Sequence, residues 1–434
     1  MRWRSRFPVQ RSALLGLGSF QFLTFLRRGV FYTFMYIYLF GLMGNVTTTA
    51  ALGTLTMLMS TAGQNMIWGK ISDRYRLRAK LVVFGELLAG IAYIIVFLIH
   101  KSFVDWASNI AAGLSLIVGL AILEFFWSMS DVGWSALLTD MTTREIRGVF
   151  IGTFNFVASL GRMTGILTAG FLYGGGIGFR QGTIFYAVAA MLFTGTVIMW
   201  FSSRSLEKTS KPALISQKPT IDISSQKKSV SVVYGNEKVF SWFLVSLTVV
   251  VLGATSVNQI FPLFLQLRDG LNASDIEISL ILTAFTVGGM AASVLGGRLA
   301  DKIGRIKVIL AGMLLAVAMP LIYGVVPNVG VMAIVYGLNG CSFMLMQTAG
   351  FAFAGDTIPE HKRGRLLSRY NAIMALSWGP AGLLIGGPLA DFQTGVLNFP
   401  RKVAYTNAFI VDSLLVLLGM SILFLKVARS EFKS

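Results

Sequence analysis

The sequence predicts an all-α membrane protein whose twelve transmembrane helices form two pseudo-symmetric six-helix bundles. Hydrophobic residues make up 55% of the 434 residues and charged residues only 13%, and the mean hydropathy is +0.70. Soluble globular domains carry about 25% charged residues. The apolar residues fall into twelve long runs, and a basic phrase between two of these runs recurs in the second half of the chain. Composition, run length and the internal repeat therefore predict the same architecture.

Each apolar run is long enough to cross a bilayer, because about 20 helical residues span about 30 Å of hydrocarbon. The runs lie near residues 13–41, 48–69, 81–99, 109–138, 148–172, 182–202, 239–266, 277–297, 307–326, 329–354, 366–388 and 403–426. An even number of crossings places both termini on one side of the membrane. The basic start MRWRSRFPVQR precedes a run too long for a signal peptide, so we expect no cleavable signal.

The chain divides between the sixth and the seventh run. The intervening stretch is rich in Ser and Lys and has no apolar periodicity, which predicts a linker. The predicted units are an N-terminal bundle of residues 1–202, a cytoplasmic linker of residues 203–238 and a C-terminal bundle of residues 239–434. The single cysteine, Cys341, lies inside an apolar run and predicts a packing role.

The Lys and Arg residues are concentrated on one side of the predicted membrane helices. The net charge is +18, which in a soluble protein would suggest nucleic-acid binding. However, 29 of the 37 Lys and Arg residues lie in loops and ends on one side of the predicted helices, five lie on the other side and three lie within the runs. This asymmetry predicts that both termini and the linker are cytoplasmic, in a multi-pass protein of the cell membrane. It argues against a nucleic-acid partner.

Two basic phrases stand at equivalent places in the two halves. GKISDRYRLRAK occupies residues 69–80 and GGRLADKIGRIK occupies residues 296–307. Further on, DMTTREIRGVFIGTFN, which starts at Asp140, matches DTIPEHKRGRLLSRYN, which starts at Asp356. Two related halves of six helices are the internal symmetry expected of a secondary transporter.

These phrases resemble a signature of the major facilitator superfamily, G-x-x-x-D-R-x-G-R-R between helices 2 and 3. The first copy matches it at Gly69, Asp73, Arg74 and Arg78, and it departs from it at Arg76, where the signature has glycine. Glycine allows close helix approach, and the basic side chains hold a loop at the level of the lipid headgroups.

The second copy keeps the expected glycine as Gly304, together with Gly297, Asp301 and Arg305, but has Lys302 after the acid. The resemblance covers the whole chain and implies the fold of that superfamily and transport by alternating access. It also implies that this cluster latches the two halves together on the cytoplasmic side in the outward-facing state. The alternative is that both basic loops are topology signals alone.

The stretch WGPAGLLIGG of the eleventh run, residues 378–387, resembles the G-P-x-x-G-G element of drug/proton antiporters in this superfamily. That element belongs on helix 5, and the aligned stretch of helix 5 has Thr164 where the proline is expected. Small residues four apart, such as Gly161 with Gly165 and Gly382 with Gly386, also predict tight helix packing.

Ionisable residues inside the predicted spans mark the expected site, since each costs about 2.5–3.5 kcal/mol in a membrane. They are Arg27, Arg28, Glu124, Asp131, Arg162 and Asp412. We expect Glu124 on helix 4 to face Arg162 on helix 5, an arrangement similar to the sugar-binding pair of lactose permease-like symporters. The alternative is that this ion pair is purely structural.

Carboxylates are the predicted proton carriers, because His100 and His361 fall in predicted loops. Glu124 is the first candidate, followed by Asp131 and then by Asp412, which stands alone and could instead face an aqueous cavity. Glu86 is expected to be shallower and to pair with the basic loop.

Aromatic and amide side chains complete the predicted cavity. The predicted substrate-binding residues are Arg27, Arg28, Tyr32, Tyr36, Glu124, Trp127, Arg162, Asn258, Gln259, Asn339 and Trp378. Neither GQNMIWGKIS nor GGGIG has the spacing or the context of a nucleotide-binding loop. The sequence therefore predicts no enzyme, no cofactor and no metal site.

The predicted function is proton-coupled transport by alternating access, with export of a hydrophobic or amphipathic small molecule. The first alternative is a proton-coupled symporter that imports an organic anion or a sugar, with the three arginines as anion ligands. The second is a membrane receptor or scaffold without transport. The expected partners are a small-molecule substrate, protons and the lipid bilayer, and a monomer is expected.

Overall fold

A computed structural model describes residues 11–142, 147–209, 237–358 and 362–428, with the backbone alone at Trp378 and a few other positions. Within these ranges the chain is almost entirely helical and contains no β-strand. The first half contains α1 Arg11–Tyr32, α2 Met35–Met43, α3 Val46–Ala62, α4 Gly69–Tyr75, α5 Arg78–Asp105, α6 Asn109–Asp140, α7 Arg147–Tyr173, α8 Ile177–Arg180 and α9 Thr183–Thr209.

The second half repeats this arrangement with similar breaks. It contains α10 Glu237–Ser256, α11 Ile260–Gln266, α12 Asp275–Ile303, α13 Arg305–Tyr323, α14 Val329–Thr357, α15 Arg363–Ala375, α16 Gly387–Gly395 and α17 Arg401–Leu423. π-Helical turns at Gly63–Trp68 and Gly382–Gly386 connect the pieces of the second and the eleventh predicted spans. Such turns arise where packing needs an extra residue in a helix, and they are frequent at functional sites.

Nine of the described helical segments are long and apolar enough to cross a membrane. The other three predicted spans are the first, second and eleventh, and each consists of two or more helical pieces that follow one another along the chain. The all-helical membrane fold is therefore confirmed, while a full count of twelve crossings stays a prediction for those three segments. The predicted linker lies largely outside the described residues. α9 continues to Thr209, and the division of the chain at residues 203 and 238 stays a prediction.

Buried apolar side chains form three clusters that describe how the two halves meet. One cluster contains residues of both halves, including Phe34, Leu265 and Phe409. A second belongs to the first half alone and includes Phe154, and a third belongs to the second half alone and includes Phe353. Following the chain direction, the shared cluster lies on one face of the membrane and the two separate clusters lie on the other.

We call the face that carries residues 69–80 and 296–307 the inner face, and the opposite one the outer face. The two halves share a core toward the outer face and have separate cores toward the inner face. A cavity between the halves therefore opens to the inner face, which the distribution of Lys and Arg predicts to be cytoplasmic. The structure is inward-facing.

The predicted loop position of His100 is wrong. His100 lies inside α5, is fully buried and hydrogen-bonds through its two ring nitrogens with the Tyr38 hydroxyl at 2.8 Å and the Ala112 carbonyl oxygen at 3.1 Å. The helix extends past the predicted run because residues 100–105 continue its hydrogen bonding as far as Trp106. His361 lies outside the described residues.

Candidate functional site

Glycine contacts between α1 and α7 set the position of the candidate site. A Cβ atom added at Gly29 would lie 2.5 Å from the carbonyl oxygen of Arg162, and one added at Gly161 or Gly165 would lie within 2.3 Å of a carbonyl oxygen of α1. Only glycine allows two helix backbones to approach this closely. The contact brings Arg28 and Arg162 to the same level of the membrane on neighbouring helices.

Glu124 takes Arg28 and Tyr32 as partners. Its Oε2 atom lies 3.8 Å from Nη2 of Arg28, and its Oε1 atom accepts a hydrogen bond of 2.8 Å from the Tyr32 hydroxyl. The Arg28 guanidinium also stacks 4.1 Å from the centre of a Trp127 ring. Glu124 is only 4% exposed, so its charge is desolvated and its pairing is electrostatically strong.

Arg27 points about 100° away from Arg28 around α1 and enters a second buried cluster. Its Nη1 atom donates a hydrogen bond of 3.1 Å to the Tyr93 hydroxyl, and its guanidinium lies 5.2 Å from the Trp127 ring centre. Glu86 accepts hydrogen bonds from Trp127 Nε1 at 2.9 Å and from Ser130 Oγ at 2.7 Å. Arg27 and Glu86 are 1% and 2% exposed and attract each other electrostatically.

The expectation that Glu86 is shallow and pairs with the basic loop is wrong. α5 begins at Arg78, before the apolar run, so Glu86 lies about 12 Å along the helix from its start. Its neighbours Trp127 and Ser130 lie on α6. The sequence signal for this contact was the spacing of Glu124, Trp127 and Asp131, which marks a polar face of α6 toward its neighbours.

The expected Glu124–Arg162 pair is not formed. Arg162 is exposed and makes no hydrogen bond or ion pair with the described residues, and its electrostatic neighbours are the cation of Arg28 and the phenol of Tyr336 in the second half. The physical reason is helix rotation, because the glycine contact of α7 faces α1 and Arg28 lies closer to Glu124. Arg162 therefore presents a positive charge that no described carboxylate neutralises.

Asp131 lies on the same face of α6 as Glu124, about two helical turns further along the helix. Its Oδ2 atom accepts a hydrogen bond of 3.0 Å from Gln64 in the π-helical turn of the second span, and its side chain is half-buried. Electrostatic attraction from Arg28 also reaches Asp131. Glu124, Asp131 and Arg28 thus form a single charged group on the cavity side of the first half.

Asp412 belongs to a different part of the molecule. It is 1% exposed, its Oδ1 atom has no hydrogen-bond partner among the described residues, and it lies near Tyr323 and beside Gly253 within the second half. It does not face an aqueous cavity, as its isolation had suggested. Burial between α10, α13 and α17 separates it from Glu124 and Asp131.

The predicted polar residues of the second half are spread along the cavity. Gln259 is buried and lies against Tyr36 of the first half, near the outer closure. Asn258 is exposed and Asn339 is half-buried near Tyr323. The side chain of Trp378 lies outside the described residues.

The two basic motifs form ion pairs within their own halves. Arg78 contacts Asp73 at 3.2 Å and Asp140 at 3.1 Å and donates a hydrogen bond to the Ser72 carbonyl oxygen. In the second half Arg305 pairs with Asp356. Asp140 and Asp356 are the aspartates that the repeat alignment places opposite each other.

Within the described part of the chain, the remaining motif residues make no contacts between the halves. Arg74 stacks on Tyr75, 5.5 Å from the ring centre, and Asp301 is exposed. Gly69 and Gly297 lie in the inner turns of their helices. This arrangement is what an unengaged latch requires in an inward-facing molecule, because the inner ends of the halves are apart.

Two related helical halves that share an apolar core at one face, with buried charge between their helices, are typical of secondary transporters. The family model of the Major Facilitator Superfamily matches residues 17–272 and 254–434 of the chain. The chain belongs to this superfamily.

Curated relatives are drug-resistance transporters at low identity. A multi-drug resistance efflux pump PmrA homolog of Lactococcus lactis is 21% identical over 86% of this chain and 85% of its own length. The puromycin resistance protein pur8 of Streptomyces alboniger is 30% identical over 40% of this chain, and the match covers only 33% of pur8. The quinolone resistance protein NorA of Staphylococcus aureus is 25% identical over 37% of this chain and 39% of its own length.

Solved structures with the same fold are transporters of varied substrates. A bacterial homolog of the human lysosomal transporter Spinster, inward-facing and unoccupied, has a TM-score of 0.67 and 15% identity over 97% of both chains. The nucleoside transporter NupG has a TM-score of 0.68 and 12% identity over 95% of this chain and 99% of its own. At these identities the likeness establishes the fold. The protein is thus a multi-pass membrane protein of this superfamily.

Proposed function

We propose that this transporter couples the export of amphipathic small molecules to proton entry, by alternating access. The observation that carries the proposal is the Glu124 carboxylate, which is buried at the cavity and held by Arg28 and Tyr32 alone among the described residues. A carboxylate in this position can exchange its ion pair for a proton, which changes the charge of the cavity. The drug-resistance relatives support export as the direction.

The proton and the substrate compete for the same carboxylates. In the inward-facing state Glu124 and Asp131 are the anionic groups of the charged group around Arg28, and a substrate that binds there displaces the proton. In the outward-facing state a proton displaces the substrate. A proton that moves inward across the membrane provides about 2.3 kcal/mol per 100 mV. Both termini and the linker lie in the cytoplasm in this proposal, as the Lys and Arg distribution predicts.

The test is transport by purified protein in proteoliposomes with an imposed pH gradient. Puromycin and a fluorescent quinolone are the probes, because relatives are named for resistance to them. Glu124→Gln should exchange probe down its own gradient but lose pH-driven accumulation, because an amide cannot bind or release a proton. If Glu124→Gln still concentrates either probe, the proton site is elsewhere, and Asp131→Asn and Asp412→Asn are the next variants.

The partner of Glu124 is tested by a double-mutant cycle with Arg28. Arg28→Gln alone should lower pH-driven accumulation by about tenfold or more, since it leaves Glu124 without its cation. Because Glu124→Gln alone should already abolish pH-driven accumulation, the coupling is measured by melting temperature, which the double variant should lower by less than the sum of the two single effects. Additive effects would contradict a coupled pair. A chain that moves none of the probes in any variant would point to the receptor or scaffold alternative.

Arg162 favours a second candidate function, proton-coupled import of an organic anion or a sugar. Its exposed guanidinium has no described carboxylate partner, so a substrate anion would neutralise it. Protonation of Glu124 would release Arg28 as a further ligand, so anion and proton would bind together and move in the same direction. The substrate contacts proposed for Arg28, Tyr32, Tyr36, Trp127, Asn258, Gln259, Asn339 and Trp378 serve either function, whereas the buried Arg27 is not proposed to contact substrate.

Binding of two matched fluorophores separates these candidates. A dansyl undecanoate and dansylcadaverine share one fluorophore and carry a carboxylate and an amine. Anion import predicts saturable binding of the carboxylate that falls by about tenfold in Arg162→Gln and recovers in Arg162→Lys. Export of neutral or cationic molecules predicts that the amine binds and that Arg162→Gln leaves its affinity unchanged.

A further inference from the structure

Asp391 of α16 joins the two halves of the molecule at the outer face. Its Oδ1 atom accepts a hydrogen bond of 2.9 Å from the backbone N–H of Val46, and its Oδ2 atom accepts one of 2.8 Å from the N–H of Thr47. The Thr47 hydroxyl donates a third bond of 2.5 Å to Oδ2. One carboxylate of the second half therefore binds the first turn of α3 in the first half.

The first turn of α3 is a natural place for an anion. The first N–H groups of a helix have no partner within it, and the helix dipole adds a partial positive charge there. Asn45 caps the N–H of Thr48 at 2.8 Å, so the N–H groups of Val46 and Thr47 are left for Asp391. The contact combines hydrogen bonds with charge, and it exists only while α3 and α16 are together.

A seam of glycines leads from Asp391 toward the membrane centre. A Cβ atom added at Gly387 would lie 2.7 Å from Cα of Thr47, and one added at Gly379 would lie 2.3 Å from the carbonyl carbon of Gly53. These glycines belong to the stretch WGPAGLLIGG. In this structure that stretch is the surface by which the eleventh span packs against the second across the two halves.

A related contact lies at the other junction of the halves. Oδ2 of Asp275, at the start of α12, accepts a hydrogen bond of 2.9 Å from the N–H of Gly175, just beyond α7. By the repeat, α3 corresponds to α12 and α7 corresponds to the span that ends in α16. At both symmetry-related junctions, an aspartate of the second half thus accepts hydrogen bonds from backbone N–H groups of the first half.

We propose that Asp391 is the principal latch of the outer gate and sets the equilibrium between inward-facing and outward-facing states. Opening the outer face must separate α3 from α16 and break all three hydrogen bonds of Asp391. The inner aspartates Asp73 and Asp301 make no contact across the halves among the residues that the structure describes. The proposal goes beyond the proposed function, because it is independent of substrate, direction and coupling ion.

Asp391 is reached from the outer face through a pocket of about 300 Å³. The pocket lies between the halves and is lined by Phe40, Gly44, Val46, Thr394, Arg401 and Tyr405, among others. Arg401, stacked 5.1 Å from the Phe40 ring centre, and the Tyr405 hydroxyl are ionisable groups that line the same pocket as Asp391. Val46 is only 2% exposed, so a reagent reaches its side chain freely only when the seam opens.

The experiment measures that opening from outside. In a Cys341→Ser background, Val46→Cys is labelled with a membrane-impermeant maleimide added to the outer face of intact cells. Asp391→Asn should raise the labelling rate by about tenfold or more, because it removes the charged acceptor. Thr47→Val, which removes one of three bonds, should raise it by a smaller factor. Gly387→Ala should also raise the labelling rate, because its Cβ atom would push α16 away from α3.

Asp269→Asn is the matched control, because Asp269 is exposed in the neighbouring outer loop and makes no contact with the first half among the described residues. It should label at the rate of the parent. Labelling at the control rate in both Asp391→Asn and Thr47→Val would overturn the proposal, as would labelling of Val46→Cys from the inner face only. Thr47→Val and Gly387→Ala keep the test decisive if Asp391→Asn fails to reach the membrane.

The outcome is separable from that of the proposed function. Labelling needs no substrate and no pH gradient, so a changed labelling rate supports the latch even if Glu124 proves not to carry the proton. Conversely, pH-driven accumulation that depends on Glu124 would stand even if Asp391→Asn labelled like its control.

Discussion

Arg27 and Arg28 are consecutive residues of α1 with separate environments. Arg28 faces the cavity, is partly exposed and pairs with Glu124, whereas Arg27 is fully buried with Tyr93, Trp127 and Glu86. Adjacent helical residues point about 100° apart, so one arginine can serve the cavity while the other holds α1 against α5 and α6. Trp127 touches both guanidinium groups and separates the two clusters.

Removal of either charge from the Arg27–Glu86 cluster should destabilise the protein by about 3–5 kcal/mol, because the remaining buried charge loses its counterion. The Arg27→Gln and Glu86→Gln variants should therefore melt well below the parent. The double variant should melt above at least one single variant. Melting in detergent, followed by tryptophan fluorescence, measures this.

Lys101→Gln is the control, since Lys101 is exposed at the outer end of α5 and its loss should leave the melting temperature unchanged. Two single effects that simply add in the double variant would show that Arg27 and Glu86 do not depend on each other. The cluster would then be held by Trp127 and Tyr93 alone.

At the scale of the helix, close approach of backbones decides which residues meet. α1 and α7 touch through Gly29, Gly161 and Gly165, and this contact directs Arg162 away from Glu124. The backbone conformation also shows why the superfamily signature has glycine at the position that Arg76 occupies in the first basic motif. Arg76 has a left-handed backbone with φ 51°, a conformation that costs a non-glycine residue about 1–2 kcal/mol. The second copy has Gly304 there, with φ 99°.

Gly29→Ala should reduce both stability and transport, whereas Gly18→Ala on the same helix should not. A Cβ atom at position 29 would overlap the Arg162 carbonyl oxygen at 2.5 Å, while nothing lies within 4 Å of one at position 18. Overpacking of this kind costs about 1–3 kcal/mol, and alanine at an open helical position gains about 0.5–1 kcal/mol over glycine.

The paired measurement is melting temperature and probe accumulation for the two variants. A Gly29→Ala protein that melts and transports like Gly18→Ala would show that the helices can separate without disturbing the cavity. In that case the glycine contact would not be what positions Arg28 and Arg162.

At the scale of the whole molecule, the halves are closed at one face and open at the other. A shared apolar core and the contacts of Asp391 and Asp275 hold the outer face together. The ion pairs of Arg78 and Arg305 remain inside their own halves at the inner face. Asp73 is 82% exposed on its side chain, so it is free to contact the other half when the inner face closes.

Asp73→Asn should therefore slow turnover strongly while leaving melting temperature and probe binding near those of the parent. The reason is that Asp73 contributes little to the inward-facing state and acts when the inner face closes. Initial transport rates and equilibrium binding in the same preparation separate the two effects. A weaker effect is expected for Asp301→Asn, and parent-like turnover in Asp73→Asn would leave both basic motifs as topology signals alone.

The amino-acid sequence is sufficient to predict the helical membrane fold, its internal repeat and which charged residues lie within the spans. These follow from local properties, because apolar run length, Lys and Arg placement and repeated motifs act along the chain. The repeat aligns Asp140 with Asp356, and the structure shows that these two aspartates form corresponding ion pairs with Arg78 and Arg305. The predicted depths of Glu86 and His100 in the membrane were wrong, because α5 extends beyond the apolar run at both ends.

Which charged side chains contact each other depends on the tertiary structure. Glu124 pairs with Arg28 instead of Arg162, and Asp412 is enclosed in the second half. Asp391 reaches a helix about 345 residues away in sequence. Helical periodicity specifies which residues share a face, but partners across helices depend on rotation and separation, which the packing of glycine contacts sets in three dimensions.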